Sequence, residues 1–347
     1  MTPIHLQIKT RTPLTSMNNK TLVAVIIPTL NEELFITKCL ESVLSQTFPL
    51  EYMDILVIDG GSNDNTEDIV NKFIDKYDNI RLLHNSKKIQ SAAFNLGVEN
   101  TSAPYIIRLD AHATYEKHYI ERCINGLIDH PECGNVGGIW DIKPQNNSIQ
   151  AKANAIINQL KFGIGGASYR IGTVAGYVDT VPFGAFPRKL IEGIGGMRED
   201  LPRGEDNEYN SRIKKNGYKI YLDPSIQCTY FARGSIIKSI KQMYSNGLSV
   251  GHLINIDKNS VSVRHLIPLT FVISLILLLI GGFIIKTLWY LLCIELAIYI
   301  LIDIIVSLKA SLKFGFQYYP ILIFFFPLIH ISYGIGTMIG LLKKPNL

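Results

Sequence analysis

The chain has 347 residues, a net charge of +5 at pH 7 and a mean hydropathy of +0.18, enough for one large domain and something more, and more apolar than a purely soluble enzyme requires. The modest charge carries no nucleic-acid signature and suits a chain lying against an anionic leaflet. Five scattered cysteines (Cys39, Cys123, Cys133, Cys228 and Cys293) without C-x-x-C spacing exclude a zinc ribbon and a disulfide framework, and a reducing cytosolic setting fits them best.

Residues 1–20 contain Lys9, Arg11 and Lys20 without an apolar core of signal-peptide length, and read as a flexible leader. Leu22–Ile27 is a continuous, β-branched apolar run stopped by Pro28, the pattern of a strand buried on both faces. From Glu32, the positions Ile36, Leu40, Val43 and Leu44 recur at helical spacing, with Asn31 as the expected N-cap and an end near Thr47. The cycle repeats: strand Asp54–Asp59, a turn at Gly60 and Gly61, and a helix facing inward through Ile69, Phe73 and Tyr77. A strand at Ile80–Leu83, a helix over Ser91–Glu99 and a strand at Tyr105–Leu109 follow. Four strands separated by three helices predict a Rossmann-like α/β domain with a mostly parallel sheet, whose ligand binds beyond the carboxyl ends of the strands. Asn31, Glu32, Asp59 and Asp110 all fall on that rim.

Charged residues thin out after Arg264. Leu266–Ile285, Thr287–Leu308 and Pro320–Leu342 are each of a length to cross a hydrocarbon core of about 30 Å. Glu295 and Asp303 in the second run require polar neighbours, or a working role such as transport. The positive-inside rule places Arg264, Lys309 and Lys313 in the cytoplasm. A third full crossing would leave Lys343 and Lys344 outside, so the last, Pro327-interrupted run reads either as a span or as a re-entrant segment. Between the two regions, residues 233–265 carry five Lys or Arg against one acid. Ile236, Ile240 and Met243 share one face there, which suits an interfacial helix or an ordinary core-packing one.

The turn after the first strand reads PTLNEE, so no dinucleotide fingerprint or P-loop is present, and the GIGG runs beginning at Gly163 and Gly193 read as turns. Pro28-Thr-Leu-Asn-Glu-Glu33, with Ile58-Asp-Gly-Gly-Ser-Asn-Asp-Asn-Thr66, instead resembles the nucleotide-binding half of family 2 glycosyltransferases, which have the GT-A fold. The resemblance implies a nucleotide-sugar donor, a UDP-sugar by expectation, bound by Pro28, Thr29, Asn31, Glu32, Asp59, Gly61, Ser62, Gln90 and Asp110. Physically, Asp59 can accept a base imide N–H and Glu32 the ribose hydroxyls; an acid at a strand end before Gly-Gly also serves as a plain turn former.

Where the family has its D-x-D metal motif, this chain has Asp110-Ala-His112 within RLDAHA, a form resembling the succinoglycan-type exopolysaccharide branch. The implied cofactor is a divalent metal held by Asp110 and His112; a carboxylate suits Mn²⁺ or Mg²⁺, and an imidazole shifts the preference towards Mn²⁺. His112 touching a phosphate oxygen directly is the alternative.

Val181-Pro-Phe-Gly-Ala-Phe-Pro-Arg188 resembles the family's acceptor-side segment, which implies that Phe183, Gly184 and Arg188 meet the acceptor, with Arg233 near its phosphates. Gly204-Glu-Asp-Asn-Glu208 resembles its E-D motif, with Asp206 as the base and Glu205 or Glu208 orienting it or holding the acceptor. An acidic first helical turn favoured by the macrodipole is the plainer reading of the same residues.

The expectation is an inverting, metal-dependent hexosyltransferase of cell-surface or exopolysaccharide synthesis, extending a polyprenyl-diphosphate-linked saccharide. It would lie among membrane lipids at the plasma membrane as a multi-pass protein with its catalytic domain cytoplasmic. Its expected parts are the leader, a catalytic domain over 21–232, the basic segment over 233–265 and a membrane domain over 266–347 with two to three spans. A processive synthase is the alternative, disfavoured by the lack of Q-x-x-R-W; a non-catalytic nucleotide-sugar-binding scaffold is another.

Overall fold

Seven successive residues with no room for water make β1 (Val23–Thr29) the centre of the sheet. The computed structural model describes residues 21–343 apart from Thr173 and Pro202; the leader expected over 1–20, and Lys344, lie outside the described residues. Along β1, Val25 and Ile27 pack on one side with Ile36, Leu40 and Val43 of α1 (Ile36–Leu44). Each fully buried side chain of this size contributes roughly 1.5–3 kcal/mol.

The chain continues through β2 (Met53–Asp59), α2 (Thr66–Ile74), β3 (Ile80–His84), α3 (Gln90–Glu99) and β4 (Tyr105–Arg108). On the other side of β1, Gly97 of α3 lies so close to Ile26 that an added methyl would come within 2.7 Å of it. The first four strands pair in parallel in the order β3-β2-β1-β4, with Thr29 in register with Asp59 and Asp59 with His84. The expected α1 N-cap is not made: Asn31 sits at φ 55°, its side chain accepts from the Asn63 amide at 2.8 Å, and the helix starts only at Ile36.

The second half of the sheet is antiparallel. Its pieces are β5 (Ala113–Tyr115), then, after α4 (Tyr119–Asp129), β6 (Cys133–Pro144). Next come α5 (Ile149–Asn158), α6 (Lys161–Ile164), α7 (Ser168–Ile171), β7 (Gly176–Tyr177), β8 (Ala185–Pro187), α8 (Arg188–Ile194), α9 (Glu205–Lys215) and β9 (Lys219–Ala232). The order runs on from β4 as β8-β6-β9-β5, with β7 on β9, so the sheet is mixed.

Two compact units emerge. The first extends to Asp141 and resumes over Gly172–Tyr230; the second comprises Ile142–Ile171 and everything from Phe231 on. Residues 142–171, inside the catalytic domain by the sequence boundaries, therefore group with the C-terminal helices: α10 (Ile236–Ile256), α11 (Val263–Gly281), α12 (Thr287–Phe314) and α13 (Tyr319–Leu342).

Three of these helical segments are long and apolar enough to cross a membrane: Val263–Gly281, Thr287–Phe314 and Phe316–Leu342. Pro327 is accommodated inside α13. The basic helix α10 lies directly on α13 through small residues; a methyl at Gly247 would come 2.1 Å from the Tyr333 carbonyl, and one at Gly336 2.2 Å from that of Tyr244. The two acids find hydroxyls: Ser274 donates to Glu295 at 2.5 Å, and Ser307 to the buried Asp303 at 3.0 Å.

Candidate active site

In the parallel half the strand order changes direction between β1 and β4, and the crevice beyond their carboxyl ends is where such sheets take ligands. A cavity of about 200 Å³ opens there. Of the expected donor residues, Pro28, Thr29, Glu32, Gln90 and Asp110 line it, together with His112.

Asp59, Asn31, Gly61 and Ser62 build its edge. The Asp59 carboxylate is fully buried and accepts the Gly61 and Ser62 amides at 2.6 and 2.7 Å and the Ser62 hydroxyl at 2.5 Å. Ser62 Oγ in turn accepts the Asn31 amide at 2.8 Å, and the Thr66 hydroxyl accepts that of Glu32 at 2.8 Å. Gly61 holds φ +80°, which a side chain would strain. Asp59 is thus a turn former, and its hydrogen bonds also fix the first strand-end loop against the second.

Sequence reasoning missed the third loop. Asn85, Lys88 and Ile89, between β3 and α3, line the same cavity, with Lys88 at φ 58°. The strand-end rule used for Asp59 and Asp110 applies equally to β3 and would have found Lys88, a cation on a phosphate-sized crevice. Also unforeseen is a grouping of Asp59, Glu67 and His84, which bring one ligand atom each within 4.8 Å of one another. Loss of hydration, and then a hydrogen bond with Asp59 and its charge, raise the Glu67 carboxyl above its ordinary value.

At the far wall, His112 Nδ1 lies 3.0 Å from Glu32 Oε1, and His112 Nε2 3.9 Å from Asp110 Oδ2. His112 thus stands between the Glu32 and Asp110 carboxylates, one at each ring nitrogen; carboxylate and imidazole suit a cation of the Mn²⁺ or Mg²⁺ class by chemistry, whereas the trio whose ligand atoms lie within 4.8 Å of one another among the described residues is Asp59, Glu67 and His84. The loop is held by Tyr115, whose hydroxyl accepts the Asp110 amide at 2.8 Å and donates to its carbonyl at 3.0 Å.

Arg108, the last residue of β4, is the third feature that sequence reasoning passed over. Only 5% of its side chain is exposed, and its guanidinium reaches Asp206 at 2.7 Å, Asp110 at 3.2 Å and Glu205 at 3.5 Å. Burial alone would lower its pKa, but the three carboxylates outweigh that and raise it, so it stays charged.

Glu205 and Asp206 open α9 behind Gly204, whose φ of +85° sets the approach to the helix. Burial and the Asp206 charge push Glu205 up to about 7 against the pull of Arg108. Asp206 keeps 43% of its side chain exposed; loss of hydration at its carboxylate raises it, Arg108 works against this and the Asp110 charge adds to it. One buried cation faces three acids, so the site carries net negative charge, a further fit to a divalent ion. Glu208 pairs with Arg212 one turn on, at 2.8 and 3.0 Å, which leaves Asp206 as the acid facing outward.

Phe183 and Gly184 sit beside this cluster. Phe183 holds φ 47° and its carbonyl accepts the Tyr119 hydroxyl at 2.8 Å. A methyl on Gly184 would lie 1.9 Å from Asn135 Oδ1, and the Gly184 carbonyl accepts the Arg108 amide at 3.1 Å. Trp140, stacked on Tyr230 at 4.1 Å and near Phe183, backs this segment.

Arg188 is placed elsewhere. Its guanidinium donates to the carbonyls of Ala103, Thr101 and Val98, at the end of the sheet where the parallel strands begin. Arg233 belongs to the second unit, where its carbonyl accepts the Asn154 amide nitrogen at 2.9 Å.

Comparison with known proteins follows the same lines. The Glycosyl transferase family 2 profile matches residues 24–191. A Methanococcus voltae protein, dolichyl N-acetyl-alpha-D-glucosaminyl phosphate 3-beta-D-2,3-diacetamido-2,3-dideoxy-beta-D-glucuronosyltransferase, is 32% identical over 92% of this chain and 97% of its own length. The succinoglycan biosynthesis protein ExoA of Rhizobium meliloti is 28% identical over 71% of this chain and 74% of its own. Among solved structures, the mannosyltransferase PcManGT of Pyrobaculum calidifontis, in complex with GDP-Man and Mn²⁺, superposes with a TM-score of 0.61 at 18% identity, covering 91% of this chain and 86% of that one.

Proposed function

Because the chain belongs to glycosyltransferase family 2 and acts on a nucleotide sugar, we propose that it transfers one hexosyl unit, with inversion, from a UDP-sugar to a polyprenyl-diphosphate-linked saccharide. The observation that carries this reading is the sharing of one buried guanidinium: Arg108 touches both Asp110 on the donor rim and Asp206 on α9. A transfer needs its leaving-group site and its base side by side, and that shared contact supports these roles for Asp110 and Asp206.

In this reading Asp206 accepts the proton of the acceptor hydroxyl as it attacks the anomeric carbon from the face opposite the diphosphate. Arg108 keeps Asp206 ionised and aimed, while Glu205 sits behind it. Asp59 takes the uracil imide N–H on its remaining lone pair, Glu32 the ribose, and Lys88 a phosphate oxygen. Asp110 and His112, with Glu32 beside them, would hold a divalent cation, whose chemistry is to neutralise charge on the departing nucleoside diphosphate.

The lipid-linked acceptor is supported by the three membrane-length helices and by the dolichyl-linked substrate in the name of the Methanococcus voltae relative. Arg264, Lys309 and Lys313 favour a cytoplasmic catalytic unit, and the likeness to the succinoglycan biosynthesis protein ExoA supports a role in exopolysaccharide or cell-surface synthesis at the plasma membrane.

Transfer of radiolabel into a lipid-extractable product in the presence of Mn²⁺ or Mg²⁺ tests the whole. Asp206→Asn should lower kcat by roughly 10²–10⁴ while donor-induced thermal stabilisation persists. Unchanged turnover would remove Asp206 as the base, and no stabilisation of the wild type by any UDP-, GDP- or dTDP-sugar would defeat the reading.

A further inference from the structure

The Gly163 turn, which plays no part in sugar transfer as described, forms one wall of a larger cavity in the second unit. This cavity, of about 520 Å³, lies among the α6 turn, α11, α12 and α13. Its size is that of a site enclosing one drug-sized molecule, roughly 300–1,000 Å³.

The wall is built to stay open. A methyl at Gly163 would fall 2.2 Å from the Ile157 carbonyl, and Gly165 and Gly166 hold φ +76° and +61°, where a side chain would be strained. The turn is fastened to the helices through His330, whose Nε2 lies 2.6 Å from the Phe162 carbonyl. A carbonyl only accepts, so Nε2 carries a proton; in the neutral ring Nδ1 then accepts from the Tyr299 hydroxyl, 2.8 Å away.

The lining divides by chemistry. Phe271, Ile302 and Ile329 form an apolar part, whereas Lys161 and Arg264 bring cationic groups and His265 an imidazole, and no carboxylate is present among the described lining residues. Arg264 and His265 stand in the first turn of α11, a helix long and apolar enough to cross a membrane, which places the Arg264 charge and the His265 ring at headgroup depth. An anion joined to an apolar chain complements this arrangement on both counts.

We infer that this cavity seats the acceptor's carrier, with its phosphate at Lys161, Arg264 and His265 and the first isoprene units along Phe271, Ile302 and Ile329. The inference rests on the lipid-linked acceptor proposed above and adds the place where the carrier binds.

The test uses the full chain in nanodiscs with a photoreactive geranylgeranyl diphosphate bearing a diazirine on its chain. Label should appear on peptides covering 161–166 or 299–302. Polyprenyl phosphate should suppress it, and an equal amount of phosphatidylglycerol or inorganic pyrophosphate should not. Ile302→Trp, which fills the apolar part, should cut labelling at least tenfold, and Arg264→Gln should weaken probe affinity about fivefold. Competition by phosphatidylglycerol equal to that by polyprenyl phosphate would make the cavity an ordinary phospholipid site and overturn the inference. So would labelling indifferent to Ile302→Trp. The competition arms use the wild-type chain, so a variant that fails to fold leaves the test standing. Because labelling is read without turnover, a chain that binds the probe here yet makes no lipid-linked product fails the proposed acceptor and not the cavity.

Discussion

Replacing Arg108 by methionine should destabilise the catalytic unit in proportion to the ionisation of the acids around it. The guanidinium is 5% exposed and bonded to Asp206 and Asp110 at 2.7 and 3.2 Å, with Glu205 at 3.5 Å. Methionine fills much of the same volume, so the dominant loss is electrostatic. Removing one partner of a buried ion cluster costs about 3–5 kcal/mol because the others are left uncompensated. For a unit of this size about 2–4 °C is lost per kcal/mol, so a fall on the order of 10 °C in apparent Tm is expected.

The pH dependence separates this account from a packing defect. Without Arg108, Glu205 and Asp206 take up protons more readily, which relieves the repulsion, so the loss should be largest near pH 8 and much smaller near pH 5.5. Thermal melts followed by far-UV circular dichroism provide the assay, since that signal reports unfolding at both pH values. A fall in Tm of equal size at both pH values would refute the electrostatic argument, and kcat retained in the folded variant would refute the coupling of Arg108 to Asp206.

Glu205 gives the opposite sign of effect. Its folded pKa is raised from 4.5 to about 7, so its contribution to stability is fully present below the unfolded value and is lost as pH rises through 7. Glu205→Gln should therefore stabilise the chain above pH 7, by about 3 kcal/mol at most from a shift of that size, and change little at pH 4.5; urea unfolding at the two pH values checks it. His112→Asp makes the donor set all-oxygen and should move the metal preference from Mn²⁺ towards Mg²⁺, read as the ratio of initial rates with the two ions; an unchanged ratio would put His112 outside the cation's coordination. Gly184→Ala should lower Tm by several degrees through the 1.9 Å approach to Asn135 Oδ1, and wild-type stability would show that Asn135 yields.

The parallel half of the sheet was legible because β1 and β2 are near-continuous apolar runs and α1 and α2 are amphipathic, so local periodicity suffices there. The antiparallel half was not: β5, β7 and β8 are two or three residues long, too short for any period to register, and exist only because longer neighbours pair with them. Likewise Asn31 looked like a helix cap by position, but the distant Asn63 amide claims its side chain.

The candidate site divides in the same way. Asp59, Asp110, His112 and Asp206 stand in motifs that a linear reading finds, because each lies at the end of a strand or the start of a helix. Arg108 sits two residues from Asp110 in plain view, yet its importance lies in reaching Asp206, nearly a hundred positions further along, a relation that β4 and α9 create only when packed. The chain by itself determined which residue types crowd the strand ends and how long its apolar helices run, since these are local properties. Tertiary structure alone decided which acid faces outward, which arginine holds a carboxylate and which merely ties backbone together, and that the Gly163 turn walls a cavity, because each depends on contacts between segments far apart in sequence.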